Sequence, residues 1–250
     1  MMPFDFKKGE VLLIDKPKGW TSFDVVNHLR ILIKRNLKIP KIKVGHAGTL
    51  DPLASGLLIV CTGLMTKQIQ TFQDQDKTYT GTLTLGLTTP SYDLETEADA
   101  TFPVDLLTPV LLDKARLSFI GTIAQLPPIF SAVKIDGKRA FNYARKNQDV
   151  KMEPRMVDIK DFQFTSVRLP EIEFLVHCTK GTYIRSLVHD YGKSLNNGAC
   201  LTALRRTRIG NFSIDQAWSI EALKELITTL GHEMEETPPP PKVEAKAKVE

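Results

Sequence analysis

The chain has little cysteine. Three residues in 250 (Cys61, Cys178 and Cys200) stand far apart and odd in number. That excludes a disulfide framework and any CxxC metal site. No apolar run approaches the roughly 18 residues that a membrane helix needs. The start, Met1-Met2-Pro3-Phe4-Asp5-Phe6-Lys7-Lys8, is too polar for a signal peptide. There is no Walker loop, no GxGxxG and no His/Cys ligand spacing. We therefore expect a protein of the reducing cytoplasm, with packed rather than reactive thiols, no membrane segment and no bound metal.

Hydrophobic residues make up 42% and charged residues 25% of the chain, as in ordinary globular proteins with a buried core. Positive charge is localised. The net charge is +4, and the five acids and three bases from Glu233 onward leave +6 on residues 1–232. Six bases and no acid lie between Val25 and Leu50. Lys180 to Gly210 holds six bases against Asp190 alone, and a third cluster runs from Lys134 to Arg155. Such patches suit phosphate backbones, although solvated faces read the same way.

The sequence predicts a strand over 10–15, stopped by Lys16-Pro17-Lys18-Gly19. A helix capped by Thr21 or Ser22 follows, then a basic loop over 34–43. Gly45 to Gly56 reads as a tight loop of small residues, and Leu57–Cys61 as a buried strand. Further helices are expected over 66–72, 110–119, 140–146, 183–195, 201–206 and 220–230. Strands are expected over 77–85, 155–168, 172–179 and 208–214, with a hairpin turn at Asp136-Gly137. Interspersed strands and helices favour an α+β fold. Residues 1–231 form the expected globular domain. The Pro-rich stretch within 232–250, with its alternating Lys, Ala, Val and Glu, reads as a disordered tail.

Taken singly, the candidate residues are ambiguous. Asp51 before Pro52 suits a helix N-cap, or a carboxylate on a loop that a ligand can approach. His46 suits a base, a stacking group or a satisfied loop histidine. Tyr79 reads as a packed strand aromatic and Arg185 as a surface or paired arginine.

The combination is more specific. Five motifs occur in order: Leu13-Ile14-Asp15-Lys16-Pro17-Lys18-Gly19-Trp20-Thr21-Ser22; Gly45-His46-Ala47-Gly48-Thr49-Leu50-Asp51-Pro52-Leu53-Ala54-Ser55-Gly56; Asp76-Lys77-Thr78-Tyr79; Ser131-Ala132-Val133-Lys134-Ile135-Asp136-Gly137-Lys138; and Lys180-Gly181-Thr182-Tyr183-Ile184-Arg185. Over residues 9–230 the chain resembles the TruB family of tRNA pseudouridine synthases, bacterial in type and without a C-terminal PUA domain.

The resemblance implies the pseudouridine-synthase fold, a long mixed and mostly antiparallel sheet flanked by helices with a central catalytic cleft. It implies isomerisation of uridine-55 in the T-loop of tRNA, with base flipping, no cofactor and no obligatory protein partner. It makes Asp51 the catalytic carboxylate, Tyr79 the residue stacked on the base, and Arg185 the partner of Asp51. His46 is implied to hold the T-loop, Tyr183 and Leu204 to wall the pocket, and Lys16 to lie near the site. Two other readings remain at this stage: a tRNA folding factor without essential chemistry, and a guide-RNA-dependent synthase.

Overall fold

The computed structural model describes residues 4–236, except 132, 136, 145, 147 and 149. The first half runs β1 (Val11–Lys16), α1 (Ser22–Asn36), β2 (Val44–Ala47), β3 (Ser55–Thr62), a 3-10 segment (Gly63–Gln68), α2 (Ile69–Gln73) and β4 (Lys77–Leu85). Short pieces follow: β5 (Leu87–Thr88), β6 (Ala100–Thr101), α3 (Pro109–Leu117), β7 (Gly121–Gln125), β8 (Lys134–Ile135), β9 (Lys138–Arg139) and α4 (Ala140–Ala144). The second half holds β10 (Arg155–Arg168), β11 (Glu171–Cys178), α5 (Ile184–Ser194), β12 (Ala199–Ile209), β13 (Phe212–Ser213) and α6 (Ile220–Glu236).

Among the described residues, nine strands form one sheet, in the order β1-β3-β12-β4-β11-β10-β7, with β2 on β3 and β13 on β12. Every pairing is antiparallel except β12 with β3, where Arg205 and Arg206 meet Ser55 and Gly56. The fold is therefore α+β with a mixed, mostly antiparallel sheet.

Three apolar clusters hold the sheet. Helices α1 and α6 cover β1 and one face of β3 through Leu12, Ile14, Val25, Leu29, Ile33, Leu223 and Ile227. Leu57, Ile59 and Cys61 fill the opposite face of β3. Burial on both faces explains why Leu57–Cys61 is a continuous apolar run rather than an alternating one. Helix α5 packs Leu187, Val188 and Tyr191 with Leu83, Phe162 and Phe174. All three cysteines are free and buried, and burial pushes Cys61 up to about 11 and Cys178 up to about 12. They pack as neutral thiols.

Helix α1 starts as its sequence predicts. Thr21 Oγ1 accepts from the Asp24 amide at 3.0 Å, and Asp24 Oδ2 accepts from the Thr21 amide at 2.8 Å, a reciprocal capping box. β8 and β9 pair as the expected hairpin, with Ile135 opposite Lys138, though Asp136 lies outside the described residues.

Several expectations change. Leu201–Arg206 is not a helix but the middle of β12, between β3 and β4. Its Leu, Ala and Arg residues are good helix formers, but propensity is a weak prior, and the two flanking strands supply the ladder partners. Residues 45–47 of the expected loop form, with Val44, strand β2 on β3. The helix over 66–72 is split into the 3-10 segment and α2. Helix α6 continues to Glu236, into the stretch read as a disordered tail; residues 237–250 lie outside the described residues.

Gly56 sits where β3 crosses β12, with φ +105°, and a Cβ there would lie 2.3 Å from the Arg206 carbonyl oxygen. Gly56→Ala meets both a left-handed backbone and immovable main chain, so we expect a loss of more than about 2 kcal/mol. Thermal denaturation would measure it, and an unchanged midpoint would contradict the reading.

Candidate active site

The site is a cleft of about 570 Å³ beside the middle of the sheet. Its lining includes loop 48–51, Lys77 and Tyr79 of β4, Leu204 and Arg206 of β12, and residues 179–185. That volume is typical of pockets for small ligands or single nucleotides.

Asp51 stands at a turn, not at a helix start. The Ala54 amide donates to the Asp51 carbonyl at 3.1 Å, and Pro52 supplies the fixed φ that suits the second position of such a turn. The N-cap reading is thus replaced by a β-turn leading into β3. Three ties hold the loop. Ser22 Oγ, at the first residue of α1, accepts from the Leu50 amide at 2.9 Å and donates to its carbonyl at 3.2 Å. The Gly19 amide donates to the Pro52 carbonyl at 2.8 Å. Arg206 Nη2 donates to the Gly48 carbonyl at 3.0 Å, and its Nε to the Leu57 carbonyl at 2.8 Å.

Arg185 faces Asp51 from the first turn of α5. Its Nε is 2.9 Å from Asp51 Oδ2 and 3.6 Å from Asp93 Oδ2. Nη1 donates to the Ser91 carbonyl at 3.1 Å and Nη2 to the Phe130 carbonyl at 2.8 Å. The arginine side chain is 4% exposed, whereas that of Asp51 keeps 38% of its surface open. The guanidinium is therefore a fixed support, and the carboxylate is the member of the pair that a ligand can reach. Burial among protein atoms pushes Asp51 above the usual carboxylate range, and Arg185 opposes that shift.

The start of α5 is itself clamped. The Tyr183 amide donates to Gln125 Oε1 at 2.7 Å, and Gln125 Nε2 donates to the Tyr183 carbonyl at 3.0 Å. Tyr183 and Leu204 line the cleft, as does Tyr79 from β4. Tyr79 is opposite Arg206 on β12. Burial raises its phenol above the ordinary value, against the pull of Arg206. It therefore offers a neutral ring at neutral pH.

Two expected residues lie outside the lining. Lys16 is buried at the end of β1, where Nζ donates to the carbonyls of Pro17 at 2.9 Å and Trp20 at 2.6 Å. Its pKa falls to about 8 through burial, while Asp51 pulls it upward. Lys16 shapes the turn that Gly19 ties to Pro52. His46 lies on β2 opposite Val60, two residues before the cleft-lining Gly48. Burial and Arg206 lower its pKa, and its Nδ1 is buried without a partner.

Arg206, Asp93, Ser91 and Gln125 are the residues that sequence reasoning missed. Arg206 was one base in an expected helix, and Asp93 one acid between the expected strand over 77–85 and the expected helix over 110–119. No local signal marks either, since each acquires its role from a contact far along the chain.

Residues 34–184 match the N-terminal domain of the TruB family pseudouridylate synthases. Residues 185–240 match the C-terminal domain of tRNA pseudouridylate synthase B. The chain is 51% identical to tRNA pseudouridine synthase B of Flavobacterium johnsoniae over 226 residues, 90% of this chain and 99% of that one. It is 52% identical to the protein of the same name in Phocaeicola vulgatus, over 88% of this chain and 94% of that one. Among solved structures it resembles a Cbf5-Nop10-Gar1 complex, with TM-score 0.66 and 29% identity. That match covers 88% of this chain and 54% of the other. With family models meeting at the Ile184–Arg185 junction and relatives matched nearly end to end, this chain belongs to the TruB family of pseudouridine synthases.

Proposed function

We propose that the chain converts uridine-55 in the T-loop of tRNA to pseudouridine, unaided by cofactor, metal or guide RNA, in the cytoplasm. The observation that carries this is the reachable Asp51 carboxylate, held by a buried arginine at a cleft lined by Tyr79 and Leu204.

The base must leave its stack to enter the cleft. Extrusion costs a few kcal/mol, and stacking on an aromatic ring returns about 1–3 kcal/mol per base. Tyr79, with Leu204 and Tyr183 around it, supplies that surface. Arg155 and Lys180 at the cleft lining suit the flanking phosphates. The N1–C1′ bond then breaks, the uracil turns, and C5 bonds to C1′; the C5 hydrogen leaves to solvent as a proton, and N1, released from C1′, takes one up from solvent. One proton leaves and one is taken up, so the product is an isomer of the substrate and no oxidant, reductant or co-substrate is consumed. Asp51 assists either by attacking C1′ or by taking the 2′ proton. Arg185 keeps it ionised where burial alone would favour the neutral acid.

Tritium release from an unmodified tRNA transcript labelled at uridine C5 tests the reading. We expect release with protein alone, abolished when the T-loop uridine becomes cytidine. Tight tRNA binding without release would instead indicate a folding factor, and release only with added guide RNA a guided enzyme. The pH profile carries a sign. Because burial raises Asp51, the ionised form is lost as pH falls through a value above the ordinary carboxylate pKa of about 3.9. The acidic limb of the rate should lie above that value and move when Arg185 is changed.

A further inference from the structure

Arg185 is held on one side by the segment 89–96, which is a hydrogen-bonded knot. Thr89 Oγ1 donates to the Asp93 carbonyl at 2.7 Å, and Ser91 Oγ donates to the same oxygen at 3.1 Å. The Glu95 amide donates to Asp93 Oδ1 at 3.0 Å. Thr89, Ser91 and Asp93 are buried. Between the two residues that meet Arg185 stands Tyr92, with φ +65°, a left-handed conformation unusual for a bulky residue.

Tyr92 is fixed at both ends. Its carbonyl accepts from the Leu201 amide at 3.0 Å, which ties the knot to β12. Its ring stacks on His189 with centroids 3.9 Å apart and planes at 18°. His189 lies on α5 four residues after Arg185, so both side chains project from one face of the helix. Burial lowers the His189 pKa, helped by Lys193 and opposed by Asp99. The imidazole is thus neutral at neutral pH, and its Nδ1 is buried without a hydrogen-bond partner among the described residues. Bonding at Nδ1 does not account for a histidine there; its ring contact with Tyr92 does.

We propose that the Tyr92–His189 stack is a positioning pair, which clamps the Ser91–Asp93 segment to α5 and thereby fixes the Arg185 guanidinium against Asp51. The knot meets α5 at two places, the Arg185 contacts and this stack. Without the stack, the knot keeps its tie to β12 but meets α5 through the Arg185 contacts, and the arginine loses its fixed geometry.

Tyr92→Gly is the informative variant. Glycine adopts positive φ freely, so the backbone is relieved while the ring is removed. His189→Ala removes the other ring, and Tyr92→Phe keeps the stack without the hydroxyl. Two readouts apply: single-turnover tritium release beside tRNA Kd, and the Arg185 Nε–Hε NMR signal, identified by its loss in Arg185→Lys. We expect Tyr92→Gly and His189→Ala each to slow turnover on the order of 10-fold, since small misplacements of a catalytic group are costly. Kd should stay within about threefold, and the double variant should be no slower than the slower single one. The Arg185 signal should shift or broaden in both single variants and stay in place in Tyr92→Phe, whose rate should stay near wild type.

An unmoved Arg185 signal in Tyr92→Gly and His189→Ala overturns the proposal, as does a Tyr92→Phe that behaves like Tyr92→Gly. If Tyr92→Gly does not fold, His189→Ala carries the same two readouts. The kinetic arm rests on the reaction proposed above; the NMR arm does not. A wild-type protein that releases no tritium while its Arg185 signal responds to the variants would remove the assigned reaction and leave the positioning role standing.

Discussion

Asp51→Asn should lose tritium release by on the order of 10⁴-fold or more, the scale seen when a covalent or proton-transfer group is deleted. The substitution keeps volume and removes charge. Neither an attack on C1′ nor removal of the 2′ proton is open to a neutral amide. Binding should change little, because the cleft walls, Tyr79 and the basic residues are untouched; a tRNA Kd within about threefold is expected, as phosphate contacts dominate affinity. Stability gives an independent check. A carboxylate whose folded pKa is raised favours the folded state when protonated, and that contribution is lost as pH rises through the folded pKa. At neutral pH the ionised Asp51 therefore opposes folding. Arg185 keeps Asp93 at 3.6 Å after the change. The variant should melt at or above the wild-type temperature while being inactive. Substantial residual turnover would remove Asp51 from the reaction.

Arg185→Met should be the most damaging change to the fold. The guanidinium serves two carboxylates and two carbonyls from a buried position. Removing one partner of a buried ion pair costs about 3–5 kcal/mol, because the other charge stays behind unpaired. For a domain of this size that is a drop in melting temperature of roughly 10 °C. Turnover should fall as well, by a route that pH reveals. With its opposing cation gone, Asp51 rises further, so the acidic limb of the rate moves to higher pH. Arg185→Lys should fall between, since a single ammonium cannot copy a fork that reaches four acceptors. Calorimetry and a pH–rate series measure both effects. A melting point within about 2 °C of wild type would contradict the assigned burial energetics.

Most of the elements were legible because their signals are local. Strands β1, β4, β10 and β11 follow short periodic or apolar runs bounded by Gly and Pro. Helix α1 follows a capping box that needs only Thr21 and Asp24. The order of the motifs singled out Asp51, Tyr79, Arg185 and Tyr183, the family resemblance added Leu204, and the structure brings all five to one cleft. Lys16 was legible as a residue near the site, but its role as the brace of the 17–20 turn was not. His46 was expected at the RNA and is placed on β2, with its Nδ1 inside the protein.

What stayed hidden was non-local. Leu201–Arg206 has a helix former's composition, yet it is the strand that joins the two halves of the sheet; only the neighbours β3 and β4 decide that. Arg206 and Arg205 are adjacent in sequence and opposite in fate. One is buried, holding the Asp51 loop through Gly48, and the other is half-exposed, paired with Asp15 at 2.7 Å. Gln125 and Tyr183 meet across 58 residues, and Arg185 and Ser91 across 94. The sequence by itself determined which residues form strands, turns and caps over a few positions, and through its motifs which carboxylate to suspect. The tertiary structure decided which charges are removed from water and which partners they then require, because burial belongs to the assembled sheet and to no local stretch of chain.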